Sequence, residues 1–194
     1  MRIGRAGPRS PEAESGAKAA FEAEALSAID SLYRTALRLT RVPADADDLV
    51  QDTYLKAFRA ADTFEPGTNL RAWLFTILHN TARNRARDRA RDTVTVDSET
   101  VDQAADQPSF GGSTPVATPE SILIGERLTP DLQAAVDALP EAFRQAVWLR
   151  DVEEFSYAEI ASMLSIPAGT VMSRISRGRR ILFDRLKHLN PVHV

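Results

Sequence analysis

The side chains of this 194-residue chain that could do chemistry are arginines, asparagines and a tryptophan in helical register, not nucleophiles or metal ligands. Residues 71–91 hold Arg71, Arg83, Arg85, Arg87, Arg89 and Arg91 against Asp88, a local charge of +5. Residues 170–188 hold Arg174, Arg177, Arg179, Arg180, Arg185 and Lys187 against Asp184, again +5. Guanidinium groups at that density suit a polyanion, pairing with phosphates and bonding guanine edges from within a groove. Catalysis has little to work with. The chain has no cysteine, which excludes thiolate chemistry, iron–sulfur clusters and Cys-based zinc. Its three histidines, His79, His188 and His193, lack metal-ligand spacing, and no phosphate-cradling loop is present. Asp45 and Asp48 have no second acidic cluster to complete a cation site. The expectation is a binding protein with no cofactor, not an enzyme.

The pattern on each basic stretch sharpens this. Projected at about 100° per residue, residues 71–91 place Leu74, Ile77, Leu78 and Thr81 on one side. Trp73, Asn80, Arg83, Asn84 and Arg87 fall on the other, where an exposed ring would stack a base for roughly 1–3 kcal/mol. Such a surface suits single-stranded or melting DNA. Arg85 and Arg89 lie nearer the apolar side, as if to serve another surface. In the last third, Ser156-Tyr-Ala-Glu159 has the spacing of a capping box. A helix carrying Ile160, Ala161 and Leu164 inward follows, and Ser165-Ile-Pro-Ala-Gly169 stops it. A second helix starts at Thr170, with Val171, Ile175, Gly178, Leu182 and Leu186 along one packing side and Met172, Ser173, Arg174 and Arg177 pointing elsewhere. This is a helix-turn-helix, whose second helix offers its N-terminal end to base edges in the major groove. Arg179 and Arg180, further along, suit phosphate. Ser165 stands where such units usually carry Gly, which predicts a slightly strained turn.

Between these lies an acidic helix. Residues 44–55 hold Asp45, Asp47, Asp48 and Asp52 and no base, and Pro43 followed by first-turn acids is a good helix start. Dipole matching does not cover Asp52, which shares a side with Asp45, Asp48 and the apolar Leu55. Leu49, Val50, Tyr54, Ala57 and Phe58 form the opposite, core-facing side. An acidic surface carrying an unneeded leucine reads as a protein-docking site.

The elements that position these groups are helical throughout. Residues 1–18 read as a disordered tail and helical spacing starts near Phe21. Residues 19–92 form one domain. Residues 93–128 form an acidic, flexible linker punctuated by Pro108, Gly111, Gly112, Pro115 and Pro119, and residues 129–190 form a second domain. No run alternates with period two, so the fold class is all-α: two small helical domains on either side of the linker. A composition of 43% hydrophobic and 26% charged residues fits one or two small soluble domains. Apolar runs such as Ala72–Phe75 fall far short of the roughly 20 residues that span a bilayer. The basic start lacks the apolar core of a secretory signal, so a cytoplasmic location without membrane insertion is expected.

Three sets of segments carry a family likeness: Ala46-Asp-Asp-Leu-Val-Gln-Asp-Thr-Tyr-Leu-Lys-Ala-Phe58; Phe64 through Trp73-Leu74 with His79-Asn-Thr-Ala-Arg-Asn84; and Leu139-Pro140 to Arg150 with Phe155–Ala161 and Ile166–Arg174. With them the chain resembles bacterial sigma factors of the extracytoplasmic-function (ECF) type, the minimal two-domain class of the sigma-70 family, over about Phe21 to Leu189. The resemblance implies that the first segment is region 2.2, docking on core RNA polymerase through Asp48, Leu49, Gln51, Asp52 and Leu55. The second implies regions 2.3 and 2.4, with Phe64, Asn69, Trp73, Asn80, Arg83, Asn84 and Arg87 melting and reading the minus-10 element of promoter DNA. The third implies region 4, with Thr170, Ser173, Arg174, Arg177, Arg179 and Arg180 engaging the minus-35 element. An anti-sigma factor is a further implied partner. Met172 departs from the pattern, since many members carry Lys there. A helix-turn-helix regulator that works without polymerase is the rival reading, and it leaves the Trp/Asn/Arg surface unexplained.

Overall fold

The computed structural model describes residues 11–94 and 129–187. Residues 95–128 of the expected linker and residues 1–10 of the expected tail lie outside them. Every regular element among the described residues is helical, in line with the all-α expectation. The N-terminal half comprises α1 (Pro11–Ser27), α2 (Ile29–Thr40), α3 (Pro43–Arg59), a 3₁₀ turn at Ala61–Thr63 and α4 (Leu70–Val94). The C-terminal half comprises α5 (Pro130–Asp137), α6 (Glu141–Asp151), α7 (Tyr157–Leu164) and α8 (Ala168–Leu186). The first helix starts at Pro11, inside the stretch read as tail and well ahead of Phe21.

Local chemistry sets the helix ends. Arg41 closes α2 in a left-handed conformation, its amide bonded to the Leu37 carbonyl. Pro43 opens α3 at a position where its missing N–H costs nothing, with Asp45 in the first turn. The Asn69 side-chain oxygen accepts from the Ala72 amide at 3.1 Å and so caps α4. At α7 the expected capping box is complete: Ser156 Oγ accepts the Glu159 amide, and Glu159 Oε2 accepts the Ser156 amide at 2.8 Å. Ser165 ends that helix with φ 54°, the left-handed turn that its non-glycine identity makes costly.

Packing follows the apolar stripes. Leu32, Leu49, Leu70, Leu74, Phe75 and Leu78 are fully or almost fully buried where α2, α3 and α4 meet. In the C-terminal half, Ile160, Met163, Val171 and Ile175 bury α7 against α8. A smaller cluster of Val136, Leu139, Val147 and Leu182 joins α5, α6 and α8. Gly178 lets α8 approach α6. A Cβ there would stand 2.6 Å from Val147 Cγ2 and 3.4 Å from Phe143 Cβ.

The larger core runs across both halves. Phe75 of α4 and Phe155, between α6 and α7, meet edge to face at 4.8 Å. Trp148 of α6 donates from Nε1 to Thr35 Oγ1 at 3.2 Å, and the Arg38 guanidinium lies 3.5 Å from its ring centroid. Arg38 also bonds Asp137 at 2.7 Å and Gln133 at 2.6 Å. Burial draws its pKa down to about 10 despite Asp137. Replacing Gly178 with Val should cost about 1–3 kcal/mol of stability through overpacking against Val147. A urea-unfolding midpoint that does not fall would show that this approach is not tight.

Candidate nucleic-acid and polymerase interface

The acidic helix and the long basic helix are cross-linked by charge. Arg85 Nη2 bonds the Asp52 carboxylate at 2.6 Å and the Asp48 backbone oxygen at 3.0 Å, and Arg89 bonds Asp45 at 3.0 Å. This is the other surface served by the two arginines on the apolar flank of α4. It leaves Asp48, Gln51 and Leu55 exposed together on α3, with Asp52 half-buried beside them. Leu55 is 53% exposed with no core to fill. Leu49, predicted within the same docking set, is instead fully buried, because it lies on the inward side of the helix with Val50 and Tyr54. Phe58, expected inward, is 40% exposed while still touching the Tyr54 and Phe21 rings.

The expected DNA-facing side of α4 is divided into three. Asn80, Asn84 and Arg87 are exposed, one turn apart. Trp73 is not the exposed platform expected. It is half-buried in an aromatic group, 5.5 Å from the Phe64 ring and 6.2 Å from Phe21, which fills the space under the loop before α4. Asn69 and Arg83 are engaged by the C-terminal half. Asn69 Nδ2 donates to Glu159 at 2.6 Å, and Arg83 donates to the Met163 carbonyl and to Ser165 Oγ, each at 3.1 Å. Burial pushes the Glu159 carboxyl upward, but the bonds from Ser156 and Asn69 outweigh it and hold its pKa below the ordinary value. Arg71, counted above only as charge, bonds the Glu153 side chain and, at 2.8 Å, the Glu153 backbone oxygen. Between the arginines, His79 is fully enclosed. Burial, reinforced by the charge of Arg83, lowers its pKa to about 4.

On α8, Ser173, Arg177 and Arg180 are exposed, while Thr170 and Arg174 are half-buried beside the packing line of Val171, Ile175 and Gly178. Arg179 differs from its neighbour. Its guanidinium grips Asp151 of α6 through Nε and Nη2, which raises its pKa further and draws it from the phosphate-facing set.

Comparison with known proteins accounts for this combination. The family model for Sigma-70 region 2 matches residues 27–92, and that for Sigma-70 region 4 matches residues 130–182. The ECF RNA polymerase sigma-E factor of Escherichia coli K12 is 33% identical over 145 residues, 75% of each chain. The chain belongs to the ECF sigma-factor family. The ECF RNA polymerase sigma factor SigE of Mycolicibacterium smegmatis is 42% identical over 161 residues, 82% of this chain; the match spans 59% of that longer relative. The sigma factor RpoE of Bartonella quintana, solved with the anti-sigma factor NepR, is 34% identical with a TM-score of 0.63, covering 86% of this chain and 96% of that one. CnrH, solved with the cytosolic domain of CnrY, is 25% identical with a TM-score of 0.58, covering 92% and 95%. Members of this family are transcription initiation factors, not enzymes. No described helix is long and apolar enough to cross a membrane.

Sequence reasoning missed Trp148, Thr35, Arg38 and Glu153. Their partners lie about 80 to 113 positions away, so no local period marks them. For His79 the sign is set by a folded pKa below the unfolded value of about 6.5. Its contribution to stability is present above pH 6.5 and is lost as pH falls toward 4. Lowering pH from 7.5 to 5.5 should therefore cost roughly 1 kcal/mol in urea unfolding, and His79→Gln should flatten that dependence. An equal slope in the variant would show that the imidazole is not the titrating group.

Proposed function

We propose that this protein binds core RNA polymerase and directs promoter-specific transcription initiation in the cytoplasm. The observation that carries this is the pairing, in one chain, of a capped helix-turn-helix bearing a basic second helix with a neutralised acidic helix that keeps Asp48, Gln51 and Leu55 outward. Helix α8 enters the major groove of the minus-35 element, where Arg174 and Arg177 meet base edges and Arg180 meets phosphate. Helix α3 docks on polymerase. Asn80, Asn84 and Arg87 take unpaired minus-10 bases, with Asn69 and Arg83 joining them once their contacts to Glu159, Met163 and Ser165 open. Phe64 and Trp73 support that surface from below as one aromatic layer. Unpairing costs a few kcal/mol, which hydrogen bonds to the freed bases offset.

The working units are residues 19–92 and 129–190, joined by residues 93–128; the matched stretches 27–92 and 130–182 fall within them and support that division. An anti-sigma factor is the proposed restraining partner, by analogy with the Bartonella protein solved with one. Transcription from a genomic template library, with and without bacterial core polymerase, tests the reading. Specific transcripts should appear only when both proteins are present. Specific duplex binding that never redirects polymerase would replace it with a conventional helix-turn-helix regulator.

Two variants separate the surfaces. Asp48→Arg reverses an exposed charge and should weaken polymerase binding by tenfold or more, on the order of 1.4 kcal/mol, with the DNA affinity of the full chain unchanged; equal polymerase affinity would remove α3 from the interface. Joint Asn80→Ala and Asn84→Ala should preserve polymerase binding and the unfolding midpoint yet reduce permanganate reactivity of the minus-10 bases. Normal reactivity would assign base capture elsewhere.

A further inference from the structure

Met172 is the large apolar side chain that α8 keeps in water at its groove-entering end. It is 51% exposed, although the helix has a packing side that buries Val171 and Ile175 on either flank of it in sequence. At about 100° per residue it lies roughly 60° from Ile175 and 40° from Ser176, on the border between packed and open surface. Gly169, Ser173, Ser176 and Arg177 around that open end are all exposed. A thioether therefore stands among hydroxyls and guanidiniums on a surface whose charge fits a polyanion. Phe183 is more exposed still, at 70%, but eleven residues on it sits about 16 Å further along the axis, outside the reach of the entering end.

The apolar side chain needs an apolar partner that a polyanionic duplex can present. In the major groove that partner is the C5-methyl group of thymine. Methionine, unbranched and soft, reaches it without demanding one rotamer. We propose that Met172 selects thymine at one position of the upstream promoter element by packing its side chain against the C5-methyl. Arg174 and Arg177 then read polar edges while Met172 reads shape and apolarity at a neighbouring step. This inference rests on the minus-35 role assigned to α8 above.

Deoxyuridine isolates the contact, since it removes the methyl and leaves every hydrogen-bonding group in place. Holoenzyme assembled from the full chain and core polymerase first selects a promoter from a random duplex library. Each thymine of its upstream element is then replaced singly. One replacement should weaken wild-type binding about three- to fivefold, should have no effect on Met172→Ala, and should keep its effect on Met172→Leu. Insensitivity at every thymine, or the same loss in Met172→Ala as in wild type, overturns the assignment while promoter selection survives. Failure of the holoenzyme to select any duplex overturns this inference and the sigma-factor reading together.

Discussion

Glu153 is a carboxylate at 2% exposure, and a charge so enclosed persists only with a cation held against it. Arg71 supplies that cation from the other half of the chain. Its guanidinium bonds the carboxylate and the backbone oxygen of Glu153 and lies 4.6 Å from the Phe155 ring centroid and 5.1 Å from that of Phe75. Ion pair, backbone bond and aromatic packing thus converge on one side chain at the start of α4. Once Arg71 is fixed, α7 is brought alongside α4, and the contacts of Asn69 with Glu159 and of Arg83 with Met163 and Ser165 follow from the same placement. Removing Arg71 would take the bonded guanidinium away from a buried carboxylate, whereas Arg71 itself, with a side chain 36% exposed, could still be solvated without Glu153.

Helix α4 consequently serves three neighbours at once. Its apolar line fills the core shared with α2 and α3, Arg85 and Arg89 hold the acidic helix, and Arg71 and Arg83 hold the C-terminal half. Along the middle of the helix the strip of Asn80, Asn84 and Arg87 stays open. Asn69 and Arg83 each spend part of their donor capacity on the C-terminal half, on Glu159, Met163 and Ser165.

The local features were legible in the sequence. The capping box at Ser156, the left-handed stop at Ser165 and the proline start of α3 each depend on neighbours within a turn. The family likeness rested on the same short segments. What escaped was long-range. Trp73 shares a helical side with Asn80 and Asn84, but the loop before α4 returns Phe64 over it, and a projection of one helix contains no loop. The family resemblance places Leu49 in the docking set, although its angular position on α3 already puts it inward. The pairing of Arg71 with Glu153 and of Trp148 with Thr35 joins residues that share no local period.

The division of labour among the arginines of α4 changes how the protein should respond to its ionic surroundings. A count of +5 over residues 71–91 suggests a helix wrapped in exchangeable anions, yet Arg71, Arg83, Arg85 and Arg89 each have a partner within the fold. Arg177, Arg180 and Arg185 of α8 stand in solvent. Condensed cations released from a duplex scale with the phosphates that are newly neutralised. The paired arginines of α4 must therefore give up a partner within the fold before they neutralise a phosphate and set a cation free, whereas Arg177, Arg180 and Arg185 need not.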